Sequence, residues 1–236
     1  MMGKAHAATG LAIGAGVGLT VFGVHSPTWM IASVGTCGAS ILPDIDEPGS
    51  SVAHEFGFIS HGVSWAVNKV SGGHRKLTHS LLGLGIVTAL LVLLATGPLA
   101  SAVIFGILAA GAWRIAVPWF TGLRRLYLVV GIGGGAAFYY FHPFSGVLLV
   151  VFLALGWLTH MAGDFLTNGG IPLLYPNRSR QCLPVFGATG SKAETIFALV
   201  LYMLVVGGIG LWFARYPVVV SHPLPVLPSL STGLGL

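Results

Sequence analysis

The sequence predicts an all-α, polytopic membrane bundle, and three observations carry that prediction. Only 7% of the 236 residues are charged, against roughly 25% in a soluble domain. Apolar residues make up 55% of the chain, and its mean hydropathy is +0.88. The apolar residues fall into runs of a length that suits a bilayer, which needs about 20 residues per helical span. Seventeen charged side chains cannot cover a 24.5 kDa water-soluble globule. A cytosolic enzyme, a disordered chain and a secreted mini-protein are therefore excluded.

Taken in order, the runs are 5–24, 27–42, 77–96, 98–117, 126–141, 144–160 and 193–213, about seven spans. Backbone groups in lipid must be bonded internally, so each run is read as a helix. The first follows Lys4 but has the length of a retained helix rather than a signal peptide. Gly10, Gly14 and Gly18 recur along it every fourth residue, a spacing that lets membrane helices pack closely. The second run is short, and with the first it can form either two spans or a re-entrant hairpin. Residues 51–70 have the pattern of an amphipathic interfacial helix, which accounts for His54, Glu55 and His61 without a ligand role. Gly131–Ala136 matches a dinucleotide fingerprint in form, but it lies inside an apolar span with no preceding strand and reads as helix packing. Cys37 and Cys182 make no disulfide or zinc-knuckle pattern. No linker divides the chain, so 1–215 is read as one membrane-embedded domain and 216–236 as an irregular Pro-rich tail.

With seven crossings, ten basic residues (Lys4, Lys69, Arg75, Lys76, Arg114, Arg124, Arg125, Arg178, Arg180, Lys192) share one side and Arg215 alone takes the other. That asymmetry places the N-terminus in the cytoplasm. The basic residues are scattered rather than gathered into a stripe, so no nucleic acid is expected. All six acids and His6, His54, His61, His74, His79 and His160 join the basic side, leaving His25, His142 and His222 opposite.

Four segments bring metal-ligand residue types to the cytoplasmic helix ends. They are His6, the turn Leu42-Pro-Asp44-Ile-Asp46-Glu-Pro48, the stretch His74-Arg75-Lys76-Leu-Thr-His79, and the pair His160 and Asp164. The last two residues are four apart, on one helical face. Imidazole nitrogen beside carboxylate oxygen suits zinc or another first-row divalent ion. Asp44 and Asp46 bridge two ions or bind one and orient a histidine. Each feature alone has an ordinary structural explanation: a capping histidine, a solvated acidic turn, a surface ion pair. Their concentration on one side of so apolar a chain favours a metal site.

The chain resembles the YdjM-like family of inner-membrane-associated metal-dependent hydrolases. The resemblance rests on Leu42–Pro48, on Gly73–Leu82, on Gly156-Trp-Leu-Thr-His160-x-x-x-Asp164 and on Gly170–Pro176 with Arg178 and Leu183-Pro184. It implies kinship with the all-helical zinc-dependent phospholipase C and P1-type nucleases. On that kinship His6, Asp44, His79, His160 and Asp164 are the first ligands, with Asp46 and His74 next, holding one to three ions, zinc or else manganese. Relative to shorter members, the chain carries an extra pair of spans near 98–141.

These readings converge on a metal-dependent phosphoester hydrolase of a prokaryotic inner membrane, its site facing the cytoplasm and its partner a membrane lipid or lipid-linked substrate. Asp46, Arg75 and His74 are the candidate catalytic residues; Arg75, with Arg178 or Arg180, is placed to clamp a phosphate. The alternatives are a regulatory or structural membrane protein with a metal site, and a metal-ion transporter. Transporters bind their ions near the midplane, whereas these ligands gather at one interface.

Overall fold

The computed structural model describes residues 1–95, 97–116, 121–141 and 145–216. The tail expected at 216–236, and with it His222, lies outside the described residues except for Tyr216, as does His142. Nine helices are described: α1 (Gly3–Phe22), α2 (Thr28–Ala39), α3 (Phe58–Ser71), α4 (Leu81–Leu94), α5 (Pro98–Ala116), α6 (Thr121–Arg124), α7 (Tyr127–Phe141), α8 (Ser145–Phe165) and α9 (Lys192–Arg215). Short 3-10 turns occupy Leu42–Asp46, Val52–His54 and Leu77–His79. The all-helical membrane architecture stands as expected.

Four helices, α1, α5, α8 and α9, are long and apolar enough to cross a membrane. The runs at 27–42, 77–96 and 126–141 yield only 12, 14 and 15 helical residues. At 1.5 Å per residue, α2 is about 18 Å long, well short of a hydrocarbon core of about 30 Å. The reason lies in the residues at the run ends. Ser40 and the 3-10 turn Leu42–Asp46 end α2 early. Ser80 caps α4 by accepting the Gly83 amide at 3.1 Å, so Leu77–His79 winds separately instead of opening the helix.

Glycine sets the closest contacts. A Cβ at Gly14 would lie 2.6 Å from the Ala32 carbonyl, and one at Gly10 only 2.8 Å from that of Thr36. The every-fourth-residue stripe thus lays α1 directly on α2. The Gly131–Ala136 stretch does the same for α7 on α5, since a Cβ at Gly135 would meet the Ala102 carbonyl at 2.8 Å. Phe105, Phe138, Leu149, Phe152 and Trp157 fill the main core between α5, α7 and α8, with Phe105 and Phe138 stacked at 4.4 Å. Helices α1 and α9 start, and α2 and α8 finish, at the same side of the bundle. The start of α1, the end of α2, the turn before α4, the end of α8 and the start of α9 consequently meet at one end of the bundle.

Candidate metal centre

Each element that reaches this end delivers one or two ligand-type side chains. The 3-10 turn after α2 projects Asp44 and Asp46, the turn before α4 projects His79, α1 gives His6, and α8 gives His160 and Asp164 on one face. His6, Asp46, His79, His160 and Asp164 are fully buried, and Asp44 retains 20% exposure. So much polarity in an apolar bundle is stable only if every group has a partner.

Most partners are present, and they fix the histidine tautomers. The Nδ1–H of His160 donates to the Ser40 carbonyl at 2.7 Å, which leaves Nε2 to face the centre. The Thr78 hydroxyl donates to Asp46 Oδ2, so His79 Nδ1–H in turn donates to Thr78 Oγ1 at 3.0 Å, with Asp46 Oδ2 at 3.4 Å behind it. His79 Nε2 therefore also points inward. The two Nε2 atoms lie 3.0 Å apart. Asp44 Oδ1 is 3.7 Å from His79 Nε2 and 3.6 Å from His160 Nε2. Asp164 Oδ2 is 3.5 Å and 3.7 Å from the same two atoms.

These four donors fit a divalent ion. A tetrahedron with zinc-ligand arms of about 2.0–2.2 Å has edges of about 3.3–3.6 Å, and five edges here measure 3.0 to 3.7 Å. Asp164 Oδ2 is buried with no hydrogen-bond partner, as are both ring nitrogens of His6. His6 stacks on His160 at 3.7 Å and holds Nε2 at 3.3 Å from Asp164 Oδ1, the oxygen that Arg75 and the Met1 amine also engage. Two wider groupings of donors, Asp44/Asp46/His74/His79 and His6/His160/Asp164, have the spacing to hold ions as well.

The charges around the cage follow from burial and proximity. Burial pushes the Asp46 carboxyl up, but hydrogen bonds from His74, His79 and Thr78 outweigh it and bring the carboxyl down to about 2. Asp44 is likewise pushed up by burial, yet His160, His79 and His6 hold it well below the usual carboxylate range. For His79 burial favours the neutral ring, and the carboxylates of Asp44 and Asp46 prevail, raising it to about 9. When protonated, His79 aims its Nε2–H at His160 Nε2, 3.0 Å away, and at the carboxylates of Asp44 and Asp164.

The five residues expected to be first ligands all reach this centre. Asp46 and His74 stand one step back. Both Asp46 oxygens are engaged, Oδ1 by His74 Nδ1 at 2.7 Å and Oδ2 by the Arg75 amide at 3.1 Å and by Thr78, so Asp46 orients His79 and His74 rather than offering a free oxygen. Arg75 is placed by an unusual backbone, φ +56°, that turns its side chain inward, where Nη2 donates to Asp164 Oδ1 at 2.7 Å. Arg180 approaches the same place, its Nη1 at 3.4 Å from the Gly169 carbonyl, while Arg178 is exposed on that loop. His54, in the turn Val52–His54, and His61 of α3 are exposed and stack on each other at 5.1 Å, outside the groups of ligand-type residues that form the centre. His25 lies at the opposite end of the bundle, against Tyr216.

Sequence reasoning missed four participants. Ser40 acts through its carbonyl, and Thr78 relays between Asp46 and His79; neither role has a residue-type signature. Glu194 is buried at the start of α9, where it accepts the Met2 amide at 2.6 Å and the Gly190 amide at 2.9 Å, and the Met1 α-amine contacts Asp164. The spacing Ser191-x-x-Glu194, a helix-start signature, was the available clue.

Fold and site together define a class: helical membrane proteins that bury a histidine–aspartate cage at one end of the bundle. The chain belongs to the YdjM inner membrane protein family, whose model matches residues 1–221. It is 27% identical over 164 residues to the inner membrane protein YdjM of Escherichia coli (strain K12), and equally to that of Shigella flexneri. Each match covers 69% of this chain and 59% of the relative's length. No solved structure matches the chain.

Proposed function

We propose that the chain is a metal-dependent hydrolase that cleaves a phosphoester of a membrane lipid or lipid-linked phosphate at the cytoplasmic face. The observation that carries this reading is the four-donor cage of Asp44, His79, His160 and Asp164, buried on all sides but that of Asp44. A divalent ion bound there, zinc or manganese, supplies Lewis acidity and lowers the pKa of a bound water towards about 7. The rest is work for the chain's own groups. Arg75, with Arg180 beside Gly169, offers guanidinium donors to phosphate oxygens. His74 is held through Nδ1 by Asp46 and is about one-third exposed, which suits it to carry a proton to or from a leaving oxygen on its other nitrogen. The cytoplasmic orientation is supported by the ten-to-one distribution of basic residues.

One observation favours a second reading. Four protein donors close a tetrahedral ion, which is the pattern of structural rather than catalytic zinc. A regulatory or structural membrane protein with a resident ion would look the same at this level, whereas a transporter would need a path to the far end. Turnover decides between them. Purified protein with zinc or manganese is expected to hydrolyse a phospholipid or an artificial phosphodiester, and to stop when Asp164 is replaced by Ala. A metal-loaded protein inert on the whole panel overturns the hydrolase reading.

A further inference from the structure

Helix α3 has its polarity reversed. Its buried face is built from Ser60, Ser64 and Ser71, while Phe58, Ile59, Val63, Trp65 and Val70 are each at least half exposed. A water-soluble surface does not carry such a face, whereas a helix lying against lipid does. Between this face and α5, itself a candidate span, runs an apolar groove of about 450 Å³. Its polar members are already engaged within the protein. The Ser60 hydroxyl donates to the Ala53 carbonyl at 3.0 Å, and Glu55 is paired with Arg114 at 3.7 Å.

The groove adjoins the metal centre through one turn of chain. Ile41, Leu42 and Ile45 line it, and they bracket Asp44 and precede Asp46, whose side chains face the centre. Two other apolar clefts, between α5 and α7 and between α1 and α9, share no residue with the centre. Apolar on its walls and lined by Ile41, Leu42 and Ile45, which flank Asp44 of the cage, the groove matches the chemistry of a hydrocarbon tail with a polar head.

We infer that the groove seats one acyl chain of a membrane phospholipid. Its further consequence rests on the hydrolase reading: the seated lipid is then the one whose phosphate is presented to the centre. Moving an acyl chain from bilayer to groove gains little hydrophobic free energy, because lipid tails are as apolar as the groove. The groove therefore orients a lipid rather than extracting it, and orientation is where a misplaced substrate loses rate.

The test uses the full chain in vesicles of a diacyl phosphatidylglycerol containing the same lipid with a photoactivatable diazirine on one acyl chain. Crosslinks are expected on Ile41, Leu42, Ile45, Ile59 and Val63, in excess over Leu99, Val103 and Leu128 in the cleft between α5 and α7. They are expected to be lost in Ile59→Trp and in Val63→Trp, which fill the groove from positions already exposed on α3, with bound metal unchanged. Labelling that is uniform around the bundle and indifferent to both substitutions overturns the proposal. So does absence of groove labelling together with disulfide dimerisation of Ile59→Cys, which would make the occupant a second copy of the chain. Hydrolysis is scored separately. Groove labelling without turnover on any phosphoester upholds the groove and removes the hydrolase reading. Where turnover exists, the Trp variants should cleave long-chain phospholipid about tenfold or more slowly, yet a water-soluble phosphodiester at the unaltered rate.

Discussion

His79 and His160, 81 residues apart in the chain, meet Nε2 to Nε2 at 3.0 Å. Each ring is fixed from behind through Nδ1, His160 by the Ser40 carbonyl and His79 by Thr78 and Asp46. The two imidazoles aim at one point between Asp44 and Asp164.

Loading the centre should release a proton. The carboxylates of Asp44 and Asp46 raise His79 from 6.5 to about 9. The stability this protonation confers is fully present below pH 6.5 and is lost as pH rises through about 9. Zinc affinity should accordingly rise between pH 6.5 and 9, with close to one proton released per ion at neutral pH. Titration calorimetry in buffers of different ionisation enthalpy measures that stoichiometry. No proton release would mean that His79 is not a ligand.

Asp46 should matter through the residues it orients. Asp46→Asn keeps the shape but weakens the hold on His79 and His74, and is expected to lower metal affinity about 10–100-fold. His160→Ala and Asp164→Ala, which remove donors outright, should abolish binding, while His25→Ala, His54→Ala and His61→Ala should leave it unchanged. Metal content after dialysis against a graded chelator series ranks the variants. An Asp46→Asn protein as empty as His160→Ala would make Asp46 a ligand itself.

Much of this centre was legible because ligand chemistry is written in residue types. His160 and Asp164 sit four apart, and the acidic turn Leu42–Asp46 leaves its helix where the apolar run stops. Orientation was not legible. Asp46 and Asp44 differ by two positions and look alike in sequence, yet the 3-10 turn sends one behind His79 and the other to the open side. Span length was the other gap. Hydropathy counts apolar residues up to the site, whereas Ser40, Thr78 and Ser80 spend the run ends on capping and hydrogen bonds, leaving α2 and α4 short.

The contact between α1 and α2 is a backbone contact and should tolerate no added carbon. Gly14→Val places a side chain where its Cβ would be 2.6 Å from the Ala32 carbonyl and 2.8 Å from Ser33 Cα. Overpacking of this kind costs about 1–3 kcal/mol. Gly16, one turn face away with nothing within 4 Å, is the control. In detergent, Gly14→Val should unfold at a clearly lower temperature than Gly16→Val, and equal midpoints would refute the close packing.

Gly169 is where the structure makes room for Arg75. A Cβ there would lie 2.3 Å from Arg75 Nη1 and 3.8 Å from Thr167 Oγ1. The guanidinium is the more movable neighbour, so Gly169→Ala should dislodge it from Asp164 without disturbing the rings of His79 and His160. Arg75 donates to Asp164 Oδ1, whereas the four-donor cage uses Asp164 Oδ2. Metal content should then remain at the level of the unaltered protein, while on the proposed hydrolase reading KM for a phosphoester rises and kcat falls, together worth about tenfold or more in kcat/KM. Arg75→Lys keeps the charge but loses the planar fork, and it should show the same pattern more weakly. Should Gly169→Ala instead lose metal with turnover, Arg75 would be holding Asp164 in place for the ion rather than waiting for a phosphate.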